Sequence, residues 1–291
     1  MTVSPKTLTF TGHNGLHLVA DAYGSPSDTP VLFAHGGGQT RHAWGSTAKM
    51  LADRGYYSLS LDLRGHGDSA WCPDGNYQLD HYARDLVAVA AELKQKAHMV
   101  GASLGGLGAM VVEGEVAANT FASLTMVDIT PRMEQSGVDQ ILGFMSAHSQ
   151  HGFASLDEAA NIIADYLPHR TRPKDNSGLA KNLRLGDDGR YRWHWDPAFI
   201  TSSNVSHRHS PAPGETNSLD TVAARVKLPT HLIRGRLSQL VSEEAAQHFL
   251  EVVPQARFTD ISGAGHMIAG DKNDIFTEAV VDFIGSVDQA S

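Results

Sequence analysis

Two side chains in this sequence are set up for covalent chemistry. The first is Ser103, in Gly101-Ala102-Ser103-Leu104-Gly105, between a strand-like run through Met99-Val100 and a helix-like run from Leu104 to Glu115. A serine on so sharp a strand-to-helix turn needs small neighbours, and Gly101, Gly105 and Gly106 provide them. The turn would expose the hydroxyl and aim the Leu104 N–H, at a helix N-terminus, into the same space. A buried serine in a glycine-rich turn would leave the same pattern. The second is His266, in Gly263-Ala264-Gly265-His266 just after the last strand-like run. A serine hydroxyl is a poor nucleophile at neutral pH and needs an adjacent base, which His266 could be. The chain has 16 histidines, so the argument rests on position. Chemistry in open α/β sheets gathers where strands end.

A third element fits the same reaction. His35-Gly36-Gly37-Gly38 follows the apolar run Pro30–His35. Glycines let the backbone approach a ligand and leave bare N–H groups, so Gly37 would supply a second oxyanion donor, with Gly36 against the substrate. A plain strand-to-helix turn would read alike.

The elements that must position these residues alternate. Thr7–His13 and Leu16–Tyr23 flank Asn14-Gly15, a strong hairpin signal. Strand-like runs follow at Pro30–His35, Tyr57–Leu63, Met99-Val100 and Leu124–Ile129, with helix patterns at Thr40–Arg54, Leu79–Gln95 and Leu104–Glu115. This is a mostly parallel sheet with an antiparallel hairpin at its edge. From about Arg132 to Leu219 the alternation stops, giving helix-like pieces at Val138–Ala147, Leu156–Tyr166 and Leu179–Leu185, an aromatic run Tyr191–Trp195 and a Ser/Pro/His-rich stretch, Thr201–Thr216. It resumes with strands at Leu232-Ile233 and Phe258–Ile261 and helices at Glu243–Leu250 and Ile275–Ile284. The expectation is an α/β core of residues 1–131 and 220–291, interrupted by a helical cap, 132–219.

Composition narrows the function classes. The chain has 291 residues, long enough to bury a large core without disulfides or structural metal, and 41% of them are hydrophobic. Lys plus Arg number 23 against 32 Asp plus Glu, a net charge of -9 with no basic block. That disfavours nucleic acid and anionic membrane surfaces as partners. The single cysteine, Cys72, permits no intramolecular disulfide. The N-terminus shows no signal-peptide pattern, and the longest uncharged stretch, between Lys96 and Glu113, is too short to span a bilayer. A soluble cytoplasmic protein, monomer or homodimer, acting on a small molecule is the expectation.

In this order the hairpin, His35–Gly38, Asp62-Leu63-Arg64-Gly65-His66-Gly67-Asp68-Ser69, the Ser103 turn, the cap and His266 resemble the α/β-hydrolase superfamily over nearly the whole chain. The resemblance implies the α/β-hydrolase fold and, with serine at the turn, hydrolysis of a small, fairly apolar ester or lactone through an acyl-enzyme on Ser103. The other expected activities are carbon–carbon bond hydrolysis of a diketone-type compound and cofactor-free oxygen chemistry by a His/Asp pair. A small-molecule receptor on the same fold is the non-enzyme alternative. No cofactor or metal is implied. One departure stands out. The superfamily usually places an acid after the strand that follows the cap, but here Gly235-Arg236-Leu237-Ser238-Gln239 has neutral Ser238 and Gln239 there. Some members carry it after the strand following the serine turn. That position is Asp128, where an unpaired carboxylate at the end of an apolar strand would be costly without a partner such as His266. Capping the turn at Thr130-Pro131 is the other use for it. Glu243 and Glu244 follow Ser242, a good N-cap, and read as first-turn charges.

The remaining signals are weak. Gly65-His66-Gly67-Asp68-Ser69-Ala70 matches a dinucleotide fingerprint, but Pro73, Asp74, Gly75 and Asn76 follow where a helix is required, so Arg64 and Asp68 are expected to tie a loop down instead. His148, His151, His207 and His209 lack accompanying carboxylate or cysteine ligands and read as solvated. Trp193 and Trp195 could line the substrate pocket or anchor the cap.

Overall fold

The computed structural model describes residues 4–166, 175–176, 178–201, 218–266 and 273–290. Its central sheet begins with β1 (Lys6–Thr11), β2 (His17–Tyr23), β3 (Thr29–Ala34) and β4 (Tyr56–Asp62), and continues with β5 (His98–Ala102) and β6 (Ser123–Val127). After a small hairpin of β7 (Leu183–Leu185) and β8 (Tyr191–Trp193), the sheet is completed by β9 (Thr230–Gly235) and β10 (Arg257–Ile261). The order across it is β1-β2-β4-β3-β5-β6-β9-β10. β2 pairs antiparallel with β1 and with β4, and the other pairings are parallel. The edge hairpin turns where expected, with Asn14 at φ 60 and Gly15 at φ 76, the left-handed pair such a turn demands.

Successive side chains in the central strands go to opposite faces, and both faces are covered. Helix α1 (Gly45–Ala52) packs on one face, and Leu32, Leu59, Met99 and Leu124 join the core of the other with α2 (Leu79–Ala91) and α3 (Leu104–Val111). Val31, Phe33, Val100, Val127 and Ile233 join the core on the α1 face with Trp44, Phe276, Val280 and Ile284. Arg64 is buried and forms a forked pair with Asp85, at 2.6 and 2.8 Å, which holds the loop after β4 against α2. In that loop Asp68 pairs with Arg41 at 2.8 Å, and no helix begins in it before Leu79.

Five parallel strands end at the same edge of the sheet. β3 leads into His35, β5 into Ser103, β6 into Asp128, β9 towards Ser238 and β10 towards His266. Sheet order thereby converts five distant stretches of sequence into one site.

Between β6 and β9 the chain forms helices Gln135–Ala147, Leu156–Tyr166, Ala198–Thr201 and Ser218–Ala223. This segment is not purely helical. Leu179–Leu185, expected as a helix, is a 3-10 turn (Leu179–Asn182) followed by β7. Gly186-Asp187-Asp188-Gly189 reverses the chain, with Gly189 at φ 75, and pairing with the aromatic strand β8 overrides the helical pattern. The segment is joined to the core where it leaves and returns, by an Arg132–Asp220 ion pair at 2.9 Å.

Candidate active site

Ser103 sits between β5 and α3 at φ 44 and ψ -113, a conformation an L side chain adopts only when its surroundings impose it. The glycines explain how. A Cβ on Gly101 would lie 2.5 Å from the Gly106 nitrogen, and one on Gly105 would lie 2.5 Å from the Ala34 carbonyl oxygen. Helix α3 can therefore press against the ends of β3 and β5, and the turn is forced. The Ser103 N–H donates to the Val127 carbonyl at 3.1 Å, and the Gly105 N–H to that of His35 at 3.2 Å.

The loop His35–Gly38 runs alongside: a Cβ on Gly36 would meet the Ser103 Cβ at 3.3 Å. The Gly36 N–H is occupied by the Gln39 side-chain oxygen at 3.0 Å. Among the described residues, neither the Gly37 nor the Leu104 N–H donates a hydrogen bond to the protein. Two free backbone donors thus flank the serine, and a Cβ on Gly37 would lie 4.0 Å from Leu104 Cδ2. Phe199 and Met145 cover the loop, at 3.0 Å from the Gly37 and 2.9 Å from the Gly38 Cβ positions.

Three buried histidines hold this region. His35 Nε2 accepts from the Leu63 N–H at 3.0 Å, while its Nδ1 donates to the Gly36 carbonyl at 2.8 Å. His66 Nε2 accepts from the Gly38 N–H at 3.0 Å, and its Nδ1 donates to the Arg64 carbonyl at 2.9 Å. His194, from the segment between β6 and β9, accepts from the Gly67 N–H at 2.7 Å and donates to the Gly38 carbonyl at 3.2 Å. Each ring needs one bare nitrogen, so each is neutral. Burial pushes all three pKa values down to about 3.

Asp128 follows β6, fully buried and at φ 49. Its Oδ1 accepts from the Gly235 N–H at 2.9 Å. Its Oδ2 accepts from His266 Nδ1 at 2.7 Å and from the Ser238 hydroxyl at 2.6 Å. The Ser238 oxygen in turn accepts from the Leu240 and Val241 N–H groups, both at 3.1 Å, so its proton is committed to Asp128. Gly235 makes the approach possible: a Cβ there would lie 2.4 Å from the Gly265 carbonyl oxygen, in the loop that carries His266. His266 stays about a quarter exposed, at 24% for its side chain. No hydrogen bond joins Ser103 to His266 in this conformation.

Glu243 and Glu244 are exposed first-turn residues of the helix Glu243–Val252, whose Ser242 cap accepts from the Ala245 N–H at 3.2 Å. Trp195 is buried, with its indole nitrogen 3.6 Å from the Gly38 Cβ position, and half-buried Trp193 stacks on it at 6.4 Å. Trp195 helps seat the intervening segment on the loop, while Trp193 packs within that segment, against Phe144 and Phe153. His148 stacks on Phe153 at 5.2 Å. His207 and His209 lie outside the described residues. Ser238, His194, Phe199 and Met145 were not assigned to this site from sequence. The only hints were an aspartate ending an apolar strand and a histidine between two tryptophans.

The comparisons with known proteins agree with this fold. An esterase of Mycobacterium tuberculosis, Rv0045c, is 29% identical over 256 residues, covering 86% of this chain and 80% of that protein. Esterase YbfF of Escherichia coli is 26% identical, covering 87% and 92%. The crystal structure of E-2-(acetamidomethylene)succinate hydrolase superposes with a TM-score of 0.84 at 22% identity, covering 97% of this chain and 99% of that one. The family model for the alpha/beta hydrolase family matches residues 31–279, and the chain is a hydrolase that belongs to that family.

Proposed function

We propose that this protein is a serine esterase that hydrolyses a small, fairly apolar carboxylic ester or lactone, with Ser103 as nucleophile, His266 as general base and Asp128 as the acid that orients it. The observation that carries this reading is the Asp128–His266 hydrogen bond, made by a fully buried carboxylate at the same strand ends where Ser103 stands half-buried. Esterases among the relatives support the reaction class.

Asp128 accepts the Nδ1 proton of His266, so Nε2 carries the free lone pair. On this reading Nε2 takes the Ser103 proton as the oxygen attacks the ester carbonyl. Catalytic hydrogen bonds are often long without substrate and tighten once it binds, which accommodates the open Ser103–His266 contact. The carbonyl oxygen becomes an oxyanion held by the Gly37 and Leu104 N–H groups. Collapse of the intermediate breaks the ester C–O bond, and His266 protonates the departing alcohol. Water then attacks the acyl-enzyme, its proton passing to His266, and release of the carboxylic acid returns the proton to Ser103. Residues 132–219 act as a cap in this scheme. Phe199 and Met145 present apolar surface beside Gly37 and Gly38, suited to an apolar substrate group.

The test is intact mass after incubation with a fluorophosphonate, with Ser103→Ala alongside, followed by a panel of esters and lactones. The expected result is one adduct on the natural protein, none on the variant, and turnover of short apolar esters. An unlabelled natural protein that turns over no ester would overturn the reading.

A further inference from the structure

We propose that His194 is a positioning residue for the oxyanion loop, joining the seating of the segment between β6 and β9 to the direction and strength of the Gly37 N–H donor. This rests on the reading of Gly37 as an oxyanion donor.

The argument follows a chain of hydrogen bonds. The Gly67 N–H donates to His194 Nδ1 at 2.7 Å, so the ring proton is on Nε2, which donates to the Gly38 carbonyl at 3.2 Å. That carbonyl shares a peptide group with the Gln39 N–H, which donates to the Gly36 carbonyl at 3.1 Å. The Gly36 carbonyl, in turn, shares a peptide group with the Gly37 N–H. A trans peptide is planar and its C=O and N–H point in opposite directions. Holding the Gly36 oxygen therefore aims the Gly37 hydrogen; the Gln39 N–H and His35 Nδ1, the latter at 2.8 Å, share that hold, and the His194 bond to the Gly38 oxygen aims the Gln39 hydrogen. Each bond in such a run also polarises the next, so a donor at the Gly38 carbonyl makes Gly37 a better donor.

Only one member of this run comes from outside the core. His194 is 156 residues from Gly38 in sequence, on the intervening segment, where it is buried to 2% exposure. Its own place is set by three contacts. The Gly67 N–H holds its ring, the Trp71 indole N–H donates to its carbonyl at 3.3 Å, and its backbone N–H donates to the Asn182 carbonyl at 3.2 Å. Gly38 is at φ 79, a conformation that is easily lost if its carbonyl is released, since glycine is free on either side of φ. The Gly38 N–H is gripped separately by His66, so removing His194 frees one end of that residue and not the loop as a whole.

Two substitutions separate the ring's two bonds. In His194→Asn the amide oxygen replaces Nδ1 and keeps the Gly67 bond, but nothing reaches Gly38. In His194→Gln the amide nitrogen extends to the Nε2 position and returns a donor to Gly38. Removing an oxyanion donor outright costs about 10²–10³ in kcat, and misaiming one costs less. With a chromogenic short-chain p-nitrophenyl ester, His194→Asn is expected to lower kcat by about ten- to a hundredfold with KM nearly unchanged, and His194→Gln to recover most of that loss. Affinity for a boronic acid, which mimics the tetrahedral oxyanion, should fall in parallel with kcat.

Equal losses in both variants, or a fall in melting temperature without a fall in kcat, would mean a purely structural histidine and overturn the proposal. If His194→Asn does not fold, His194→Gln decides: kcat within a few-fold of the natural enzyme supports the proposal, and a hundredfold loss overturns it. An active natural enzyme matched by His194→Asn overturns this inference alone. A natural enzyme that neither takes the fluorophosphonate nor turns over ester overturns the reading of the site as well.

Discussion

Ser238 donates its hydroxyl proton to Oδ2 of Asp128, the same oxygen that accepts from His266, at 2.6 Å and 2.7 Å. The neutral residue at the position where a carboxylate was expected is thus a partner of the carboxylate that stands elsewhere. Strand order explains it. β6 lies beside β9, so the residue after β6 and the loop after β9 meet at one point of the sheet edge. An acid on either strand could address the same histidine.

Ser238→Ala removes a charge-assisted bond from a buried carboxylate. Hydrogen bonds to charged groups contribute about 1.5–3 kcal/mol, so the unfolding free energy of the variant should fall by about that much and its urea midpoint should drop accordingly. Esterase kcat should fall about tenfold as Asp128 loses one of the groups that fix it. Urea midpoints and steady-state kinetics check both, and unchanged values would show that the bond is idle.

Asp128→Asn keeps the shape of the side chain, and asparagine tolerates a left-handed backbone such as φ 49. The fold should survive. An asparagine amide offers His266 the wrong hydrogen-bonding pattern, so kcat should drop about 10³–10⁴-fold, as for an orienting acid in a serine triad. Circular dichroism beside kinetics checks this. A folded variant within tenfold of the natural enzyme would remove Asp128 from the mechanism.

Gly105→Ala puts a Cβ within 2.5 Å of the Ala34 carbonyl oxygen, on backbone that cannot move without opening the Ser103 turn. Loss of soluble protein or of several kcal/mol is expected, a large effect for one methyl group. Gly143→Ala is the control. Gly143 lies in the exposed part of the helix Gln135–Ala147, with nothing within 4 Å of its Cβ position. There alanine should stabilise by up to about 1 kcal/mol. Thermal melts of the pair separate steric crowding from general intolerance.

Stability should decline in mild acid. Burial holds His35, His66, His194 and His231 at about 3, whereas an unfolded histidine titrates near 6.5. Above about pH 6.5 both states are neutral and these groups contribute no pH dependence. Between about pH 6.5 and pH 3 the unfolded chain binds protons that the folded protein refuses, so stability falls as pH falls. Asp68, held below the usual carboxylate range by hydrogen bonding and charge from Arg41, acts in the same direction lower in that window. Melting temperatures from pH 7.5 to 4.5 read this directly, and a flat profile would contradict the buried neutral rings.

Ser103, the glycines around it, the His35–Gly38 loop and the alternation of strands and helices were legible in the sequence because each is a local requirement. A strained turn needs glycine two residues away, and a covered parallel strand needs an apolar run. Asp128 was legible as an anomaly, a carboxylate at the end of such a run. The residues that complete its surroundings were not. Ser238 lies 110 residues from Asp128, and His194 lies 156 from Gly38. Their types alone carry no record of their partners, because a serine or histidine makes equally good bonds with water. The strand Leu183–Leu185 was missed for a related reason: its conformation is decided by Tyr191–Trp193 across the hairpin and not by its own propensity. The sequence by itself determined where the chain must turn, what it must bury and which side chains stand at strand ends. Tertiary structure alone decided which of those ends are neighbours, since sheet order is settled by packing the whole chain and not by any one stretch of it.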